Sequence, residues 1–361
     1  MAESRKIKGG FVKKDRISEL PRNLQEIILC FLPIRDAVRT SILSTKWRHS
    51  WTMIPHLSFD DKMFDYKIPN REWKCHGPEM NALKFVSAIN KVLIRHNGPI
   101  LKFSLNIPSE CDDQIIHDYI DQWIPLFTRK GIKQLVLCDD YELLENFSSI
   151  GLENLTEFSF KLTCEPATQT ETSNVVKFLS NLPKIEKFSA GFGFIKYLAA
   201  GGSPNRLPKL LSYLKTLSIC NMDFTDSYKI SCLLCLIRSA PNLCKLHILA
   251  DCYSDGKEDL KNCWIEDSEK SSIDNLEIVT FSDFQGRIAE LELVKFLLAH
   301  SPSLKTMSIH RSEGMKKDVA LAMTDDILEF PRSSSRAQIR RLIRPVSITD
   351  FDDELWAHFD L

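Results

Sequence analysis

The stretch LKTLSICN, residues 214–221, contains the pattern that decides the fold. Leu217 and Ile219 flank Ser218, as in a strand that is buried on one face, and Leu214 stands three positions before that pair. The same spacing of apolar residues returns at intervals of roughly 23 to 33 residues. The other pairs are Phe103/Leu105, Leu135/Leu137, Phe158/Phe160, Leu246/Ile248, Val279/Phe281 and Met307/Ile309, with Ile185/Phe188 as a weaker member.

Stretches with helical periodicity separate these strands, around 83–93, 116–127, 175–182, 230–237 and 291–298. Strand–helix units with the L-x-x-L-x-L pattern are typical of leucine-rich repeats, which stack into a solenoid. We therefore predict an α/β fold with parallel strands on the concave face and helices outside. A doubly wound α/β sheet is the alternative architecture, because it shows a similar alternation.

A different pattern occupies residues 15–55, where apolar residues recur at helical spacing. Ser18 is the expected cap of a first helix, and Pro21 suits its first turn. Leu32-Pro33 ends this helix, Asp36 opens a second one, and a third is expected to contain Trp47 and Trp51. The apolar face of the first helix consists of Leu20, Leu24, Ile27, Ile28 and Phe31.

This segment is too small to cover its own apolar side chains. Fully burying one large apolar side chain is worth about 1.5–3 kcal/mol. Units of about 40 residues usually need a disulfide, a metal or a partner, and neither of the first two is visible in the sequence. We infer that another protein covers part of the face. The alternative is that the helices pack only on the rest of this chain.

The bulk composition is that of an ordinary soluble protein, with 43% hydrophobic and 26% charged residues and a formal net charge of −1. Such a balance argues against binding to nucleic acid or to a membrane surface. We expect no secretory signal and no membrane span, and therefore a cytoplasmic or nuclear location. The 11 cysteines show no framework spacing, which agrees with a reducing compartment.

No motif in the sequence indicates catalysis or a cofactor. Cys232-x-x-Cys235 lies in an apolar helical run and is interpreted as a pair of core residues. We expect no metal, no cofactor and no catalytic residue, although spacing alone does not exclude a triad assembled in space.

Residues 15–55 resemble the plant form of the F-box. The resemblance is carried by Asp15-Arg16-Ile17-Ser18-Glu19-Leu20-Pro21, Phe31-Leu32-Pro33, Asp36-Ala37-Val38-Arg39-Thr40-Ser41-Ile42-Leu43-Ser44 and Lys46-Trp47-Arg48. A C-terminal segment resembles the plant FBD module through Phe281, Phe284, Gly286, Glu290-Leu291-Glu292-Leu293, Ser301-Pro302-Ser303-Leu304 and Phe330-Pro331-Arg332. The expected organisation is a disordered basic tail (1–14), an F-box (15–55), a linker (56–80), degenerate repeats (81–270), an FBD cap (271–345) and an acidic tail (346–361).

The resemblance implies the substrate-recognition subunit of an SCF-type (cullin–RING) ubiquitin ligase, without catalytic activity of its own. The F-box of such a subunit binds a Skp-type adaptor and, through it, a cullin, while the solenoid binds an unidentified target protein. The alternative is a non-ligase scaffold with a vestigial F-box. Val38, Leu43, Trp47 and Trp51 are expected mainly to hold the helices together, with some edges exposed. The resemblance implies adaptor binding by Leu20, Pro21, Leu24, Ile28, Leu32, Pro33, Val38, Leu43 and Trp47.

Overall fold

The computed structural model describes residues 19–60, 77–109, 111–139, 152–162, 173–199, 205–251, 272–312, 315 and 317–342. Its main feature is one sheet of ten parallel strands, in which each strand pairs with the next strand along the chain. A doubly wound sheet would reverse its strand order at a switch point, so the sequential order confirms the predicted solenoid. The strands are β1 His56–Phe59, β2 Lys102–Asn106, β3 Gln134–Asp139, β4 Glu157–Leu162, β5 Lys187–Gly191, β6 Thr216–Met222, β7 Lys245–Ala250, β8 Ile278–Phe284, β9 Thr306–Arg311 and β10 Gln338–Leu342.

Helices connect most of these strands, as expected for parallel neighbours. Two more helices precede the sheet and form, with the turns that follow them, a helical unit over residues 19–55. In chain order the helices are α1 Arg22–Cys30, α2 Ile34–Arg39, α3 Pro78–Arg95, α4 Asp113–Arg129, α5 Ser173–Ser180, α6 Phe192–Ala199, α7 Ser227–Arg238, α8 Ile288–His300 and α9 Lys317–Glu329.

The repeated apolar spacing builds one continuous core along the sheet. In β6, Leu217 and Ile219 are buried, and Leu214 lies beneath them at the preceding turn. The corresponding side chains of neighbouring strands stack on one another, as Phe158 and Phe188 do with ring centroids 6.0 Å apart. The weak sequence signal at Ile185/Phe188 therefore marks a fully integrated repeat.

Two strands were missed by the sequence prediction. The expected linker 56–80 begins with β1, where Ile54, Leu57 and Phe59 repeat the diagnostic spacing directly after the helical unit. β10 lacks the spacing, because Arg336 stands where the leading apolar residue would be and Arg341 where the second member of the pair would be. The FBD-like segment also adds β8 and β9 to the same sheet, so it continues the solenoid.

The helical unit departs from the prediction in its third element. Residues 43–49 form turns, and the only helical structure after α2 in the described part of this unit is two short 3₁₀ segments, Thr40–Ile42 and Ser50–Met53. The predicted α-helix was wrong, because successive turns also direct Trp47 and Trp51 into the core, where each is buried. The second helix begins at Ile34, with Pro33 as its N-cap, rather than at Asp36. The predicted cap Ser18 and both terminal tails lie outside the described residues.

The turn after α3 joins the helical unit to the solenoid. The backbone N–H groups of Asn97 and Gly98 donate to the Thr52 carbonyl oxygen at 2.9 and 3.0 Å. His96 Nε2 lies 2.7 Å from the Ile54 carbonyl, which can only accept, so this nitrogen carries the proton. Burial lowers the pKa of His96 and keeps the ring neutral. These contacts hold the two parts together without a free linker between them.

Candidate functional site

Helix α1 exposes most of its apolar residues to solvent, whereas an ordinary surface helix turns them towards the core. Its apolar residues Leu24, Ile27 and Ile28 are exposed, whereas Gln25 and Leu29 are its only buried residues. An apolar face in contact with water costs free energy that a covering partner would recover. The orientation of α1 therefore indicates a surface for another protein.

Hydrogen bonds explain why a polar residue occupies the inner face of α1. Gln25 Nε2 donates to the Leu20 carbonyl oxygen at 2.9 Å, and the Ser50 hydroxyl donates to Gln25 Oε1 at 3.3 Å. A buried amide is tolerated only when its polar atoms are paired in this way. Gln25 thus fixes the rotation of α1 and keeps the neighbouring apolar residues outside.

The exposed residues continue beyond α1. Phe31, directly after the helix, is 83% exposed, and further apolar side chains are exposed at the turn after α2. We call the seven residues together the exposed apolar set. Its members are Leu24, Ile27, Ile28, Phe31, Leu32, Ile42 and Leu43.

Covering the exposed apolar set would release a substantial free energy. The exposed fractions of its members, from 38% to 84%, add up to about four fully exposed side chains. At about 1.5–3 kcal/mol each, their burial is worth roughly 6–12 kcal/mol, comparable with the ~4–15 kcal/mol cost of association. The ion pairs Arg22–Glu26 and Asp36–Arg39, both 3.5 Å long and solvent-exposed, contribute little beside this.

The structure divides the nine predicted adaptor-binding residues into three groups. Leu20 and Val38 are half-buried. Trp47 is only 6% exposed, so it packs inside the unit, in line with the expectation that it mainly holds the helices together, and it offers little surface to a partner. Leu43 is 82% exposed, so the expectation that it holds the helices together was wrong. The exposed group consists of Pro21, Leu24, Ile28, Leu32, Pro33 and Leu43.

Three strongly exposed residues were not among the predicted contacts. Ile27 and Phe31 share the helical spacing of Leu24 and Ile28, and this spacing was the signal that could have placed them at the surface. Ile42 is 84% exposed in a 3₁₀ turn, where no helical period applies. Sequence periodicity alone therefore does not identify Ile42.

The face of the sheet opposite the buried pairs has short side chains in its central rows. Ser159, Ser189 and Ser218 occupy paired positions on β4, β5 and β6. A ladder of charges runs beside them, with Glu157 and Lys187 2.9 Å apart. The three serines are almost completely buried, so this row of the sheet offers a ligand little side-chain surface.

The FBD-like segment contains a buried carboxyl group at the start of α8. Glu290 Oε2 accepts hydrogen bonds from the backbone N–H groups of Gln285 and Arg287 at 3.0 and 2.9 Å. Burial raises the pKa of Glu290 to about 7, although these donors favour the charged form. Gly286 has φ +77°, and a Cβ there would clash with Met323 Sδ. The turn is therefore built around Glu290 and requires glycine.

The potential metal ligands of the described residues do not cluster, and the Cys232/Cys235 pair lies in the core. Within them, no group of three or more His, Cys, Asp or Glu side chains is placed to hold a metal ion. Cys232 and Cys235 are fully buried in α7, as predicted, and burial raises the pKa of the Cys235 thiol. None of the described helices has the length and hydropathy needed to cross a bilayer.

Comparison with known proteins gives matches to two family models, one near the N-terminus and one in the C-terminal third of the chain. The F-box domain model matches residues 17–58 and the FBD model matches residues 273–309. An F-box/FBD/LRR-repeat protein of Arabidopsis thaliana is 30% identical over 90% of this chain and 98% of its own length. A second Arabidopsis F-box/FBD/LRR-repeat protein is 33% identical over 38% of this chain and 28% of its own length. The leucine-rich repeat-containing protein LegL7 of Legionella pneumophila covers 72% of this chain and 80% of its own at 14% identity, but its TM-score of 0.37 is too low to support an inference.

Proposed function

Because the chain belongs to the F-box/FBD/LRR-repeat protein family, we propose that it is the substrate-recognition subunit of an SCF-type (cullin–RING) ubiquitin ligase. Members of this family generally act in such complexes, as adaptors for substrates rather than as catalysts. The helical unit docks on a Skp-type adaptor, the adaptor connects it to a cullin, and the solenoid binds a target protein.

The observation that carries the proposal is the outward apolar face of α1. Seven of the fifteen large apolar side chains that are exposed in the described part of the chain fall within residues 24–43. Monomeric proteins rarely keep apolar residues exposed at such density unless a partner covers them. The contacts around Gln25 and Thr52 supply rigidity, so little conformational entropy is lost on docking.

The first test measures the affinity of the intact chain for a purified Skp-type adaptor. The double variant Phe31→Ala/Leu32→Ala removes two exposed side chains without touching the core. We expect a loss above about 2 kcal/mol, which is roughly 30-fold in Kd. The matched control is Leu328→Ala on α9, since Leu328 is 51% exposed at the other end of the solenoid. Wild-type affinity in the double variant, or no adaptor binding by the intact chain, would contradict the proposal.

A second test distinguishes the ligase from the scaffold. With the proteasome blocked, proteins captured by the intact chain are compared with those captured by the Phe31→Ala/Leu32→Ala variant. A ligase subunit brings down the cullin only when the exposed apolar set is intact, and its targets accumulate in ubiquitinated form. Adaptor binding without cullin or ubiquitinated targets would instead favour the scaffold.

A further inference from the structure

A small cavity lies far from the helical unit, at the edge of the solenoid. It has a volume of about 120 Å³ and forms where the chain segments leading into β6, β7 and β8 meet. Leu210, Ile237 and Ile273 give it an apolar wall, and Arg206 and Arg238 are also part of the lining. An engineered cavity of about 150 Å³ holds a benzene ring, so this slightly smaller cavity, which is partly open to solvent, suits an apolar body of about that size with its polar end at the opening.

Arg238 is held in place at the edge of this cavity. One of its terminal nitrogens, Nη1, donates to Asn205 Oδ1 at 2.7 Å, and its guanidinium carbon lies 6.0 Å from the centroid of the Phe296 ring. Its Nε is buried and has no hydrogen-bond acceptor. Arg238 is therefore fixed in position while its donors are not all used.

The second arginine adds a positive charge beside the first. Burial lowers the pKa of Arg238, and the charge of Arg206 lowers it further. Within the described part of the chain, neither guanidinium forms an ion pair with a carboxylate. Asp274 also lines the cavity, but its carboxylate accepts a hydrogen bond from the Ser272 hydroxyl. A half-buried and an exposed guanidinium thus face the cavity, and Asp274 is the one acidic residue among the described residues that line it.

We propose that this cavity binds a carboxylate group attached to a small apolar body, with Arg206 and Arg238 donating to the carboxylate oxygens. Guanidinium groups match the planar carboxylate and bind it through paired hydrogen bonds. The lining has two positive charges and one negative charge, so a single carboxylate leaves it neutral. Leu210, Ile237 and Ile273 contact the carbon body. The carboxylate belongs either to a free organic acid or to a glutamate or aspartate side chain of a bound protein, and the site does not depend on the adaptor.

The test follows the thermal stability of the full-length chain at constant ionic strength. Benzoate is the probe, benzamide is its neutral isostere, and N-acetyl-glutamate amide represents a protein side chain. We expect benzoate to raise the Tm and benzamide not to raise it. A larger effect of the capped glutamate than of benzoate would indicate a protein side chain as the source, and the reverse would indicate a free acid. An equal response to benzoate and benzamide would overturn the proposal.

Variants identify the groups that bind the probe. Arg206→Gln alters an exposed side chain and is expected to weaken benzoate binding about tenfold or more. Lys209→Gln is the matched control, because Lys209 lies in the same loop but donates to the Ser180 carbonyl oxygen, away from the cavity lining. Asp274→Asn removes the opposing charge and is expected to tighten benzoate binding several-fold, a gain that misfolding does not produce. Unchanged affinity in Arg206→Gln, or weaker binding in Asp274→Asn, would refute the site.

Discussion

Replacing Gly98 by alanine tests whether the helical unit and the solenoid form one rigid body. A Cβ on Gly98 would lie 2.9 Å from both Cα and O of Met53 and 3.1 Å from its carbonyl carbon. These are backbone atoms, so no side chain can rotate away, and the turn at 96–98 must move. That movement stretches the two hydrogen bonds from Asn97 and Gly98 to the Thr52 carbonyl oxygen.

The expected cost follows from these contacts. Overpacking costs about 1–3 kcal/mol, and each weakened hydrogen bond adds about 0.5–1.5 kcal/mol. Alanine also lowers the conformational entropy of the unfolded variant, which offsets about 0.4–1 kcal/mol of this loss of stability. We therefore expect Gly98→Ala to lower the free energy of unfolding by about 2–4 kcal/mol.

Urea denaturation followed by tryptophan fluorescence measures this loss, because Trp47 and Trp51 report on the helical unit. The midpoint should fall on the order of 1 M. Gly77→Ala at the other end of α3 is the matched control, since a Cβ there has no neighbour within 4 Å, and it should change stability by less than about 0.5 kcal/mol. If Gly98→Ala unfolds at the same midpoint as Gly77→Ala, the close junction described above is refuted.

Three further substitutions test individual buried groups by denaturation. Glu290 has a pKa of about 7 when folded against an ordinary 4.5, so the stability it contributes is complete below pH 4.5 and is lost as the pH rises through 7. Glu290→Gln should abolish that decline of about 3 kcal/mol between pH 5 and pH 8, and an unchanged decline would exclude Glu290 as its source. Lys229 Nζ lies 2.7 Å from Asp223 Oδ2 in a buried pair. Lys229→Ala should cost about 3–5 kcal/mol by stranding the aspartate, and Lys229→Ala/Asp223→Ala should cost less; an equal or greater loss in the double variant contradicts the pairing. The Ser239 hydroxyl accepts from the Leu207 N–H at 2.8 Å. Ser239→Ala should therefore cost about 1–3 kcal/mol, and a change below about 0.5 kcal/mol would speak against that bond.

The repeat fold could be predicted because its signal is periodic and local. Leu217 and Ile219 reveal a strand by their own spacing, and the same spacing at other positions reveals the stack. β1 was missed although Leu57 has the right neighbours, because the apolar run of the helical unit extends directly into it. β10 lacks the apolar spacing because it is the last strand of the sheet and has a neighbouring strand on one side only. Fewer of its side chains are buried, so Arg336 is tolerated before it.

The candidate site was only partly predictable for a different reason. Periodicity shows that residues share one face of a helix. It does not show whether that face packs on the core or is exposed to solvent. Leu43 and Trp47 are both large and apolar, yet a few turns place one outside and the other inside. The cavity at Arg206 and Arg238 had no sequence signal, because loops of different repeats bring the two arginines together.

The unbroken pairing from β1 to β10 also fixes the distance between the two ends of the sheet. Nine inter-strand steps of about 4.8 Å separate the end that bears the helical unit from the far edge, a span of roughly 43 Å along the sheet. One repeat more or fewer would therefore move a protein bound on the distal strands about 5 Å away from, or towards, the helical unit. The hydrogen bonds from Asn97 and Gly98 to Thr52 fix the helical unit against the first strands, so the number of repeats would set the distance between a target on the distal strands and the adaptor proposed to bind α1.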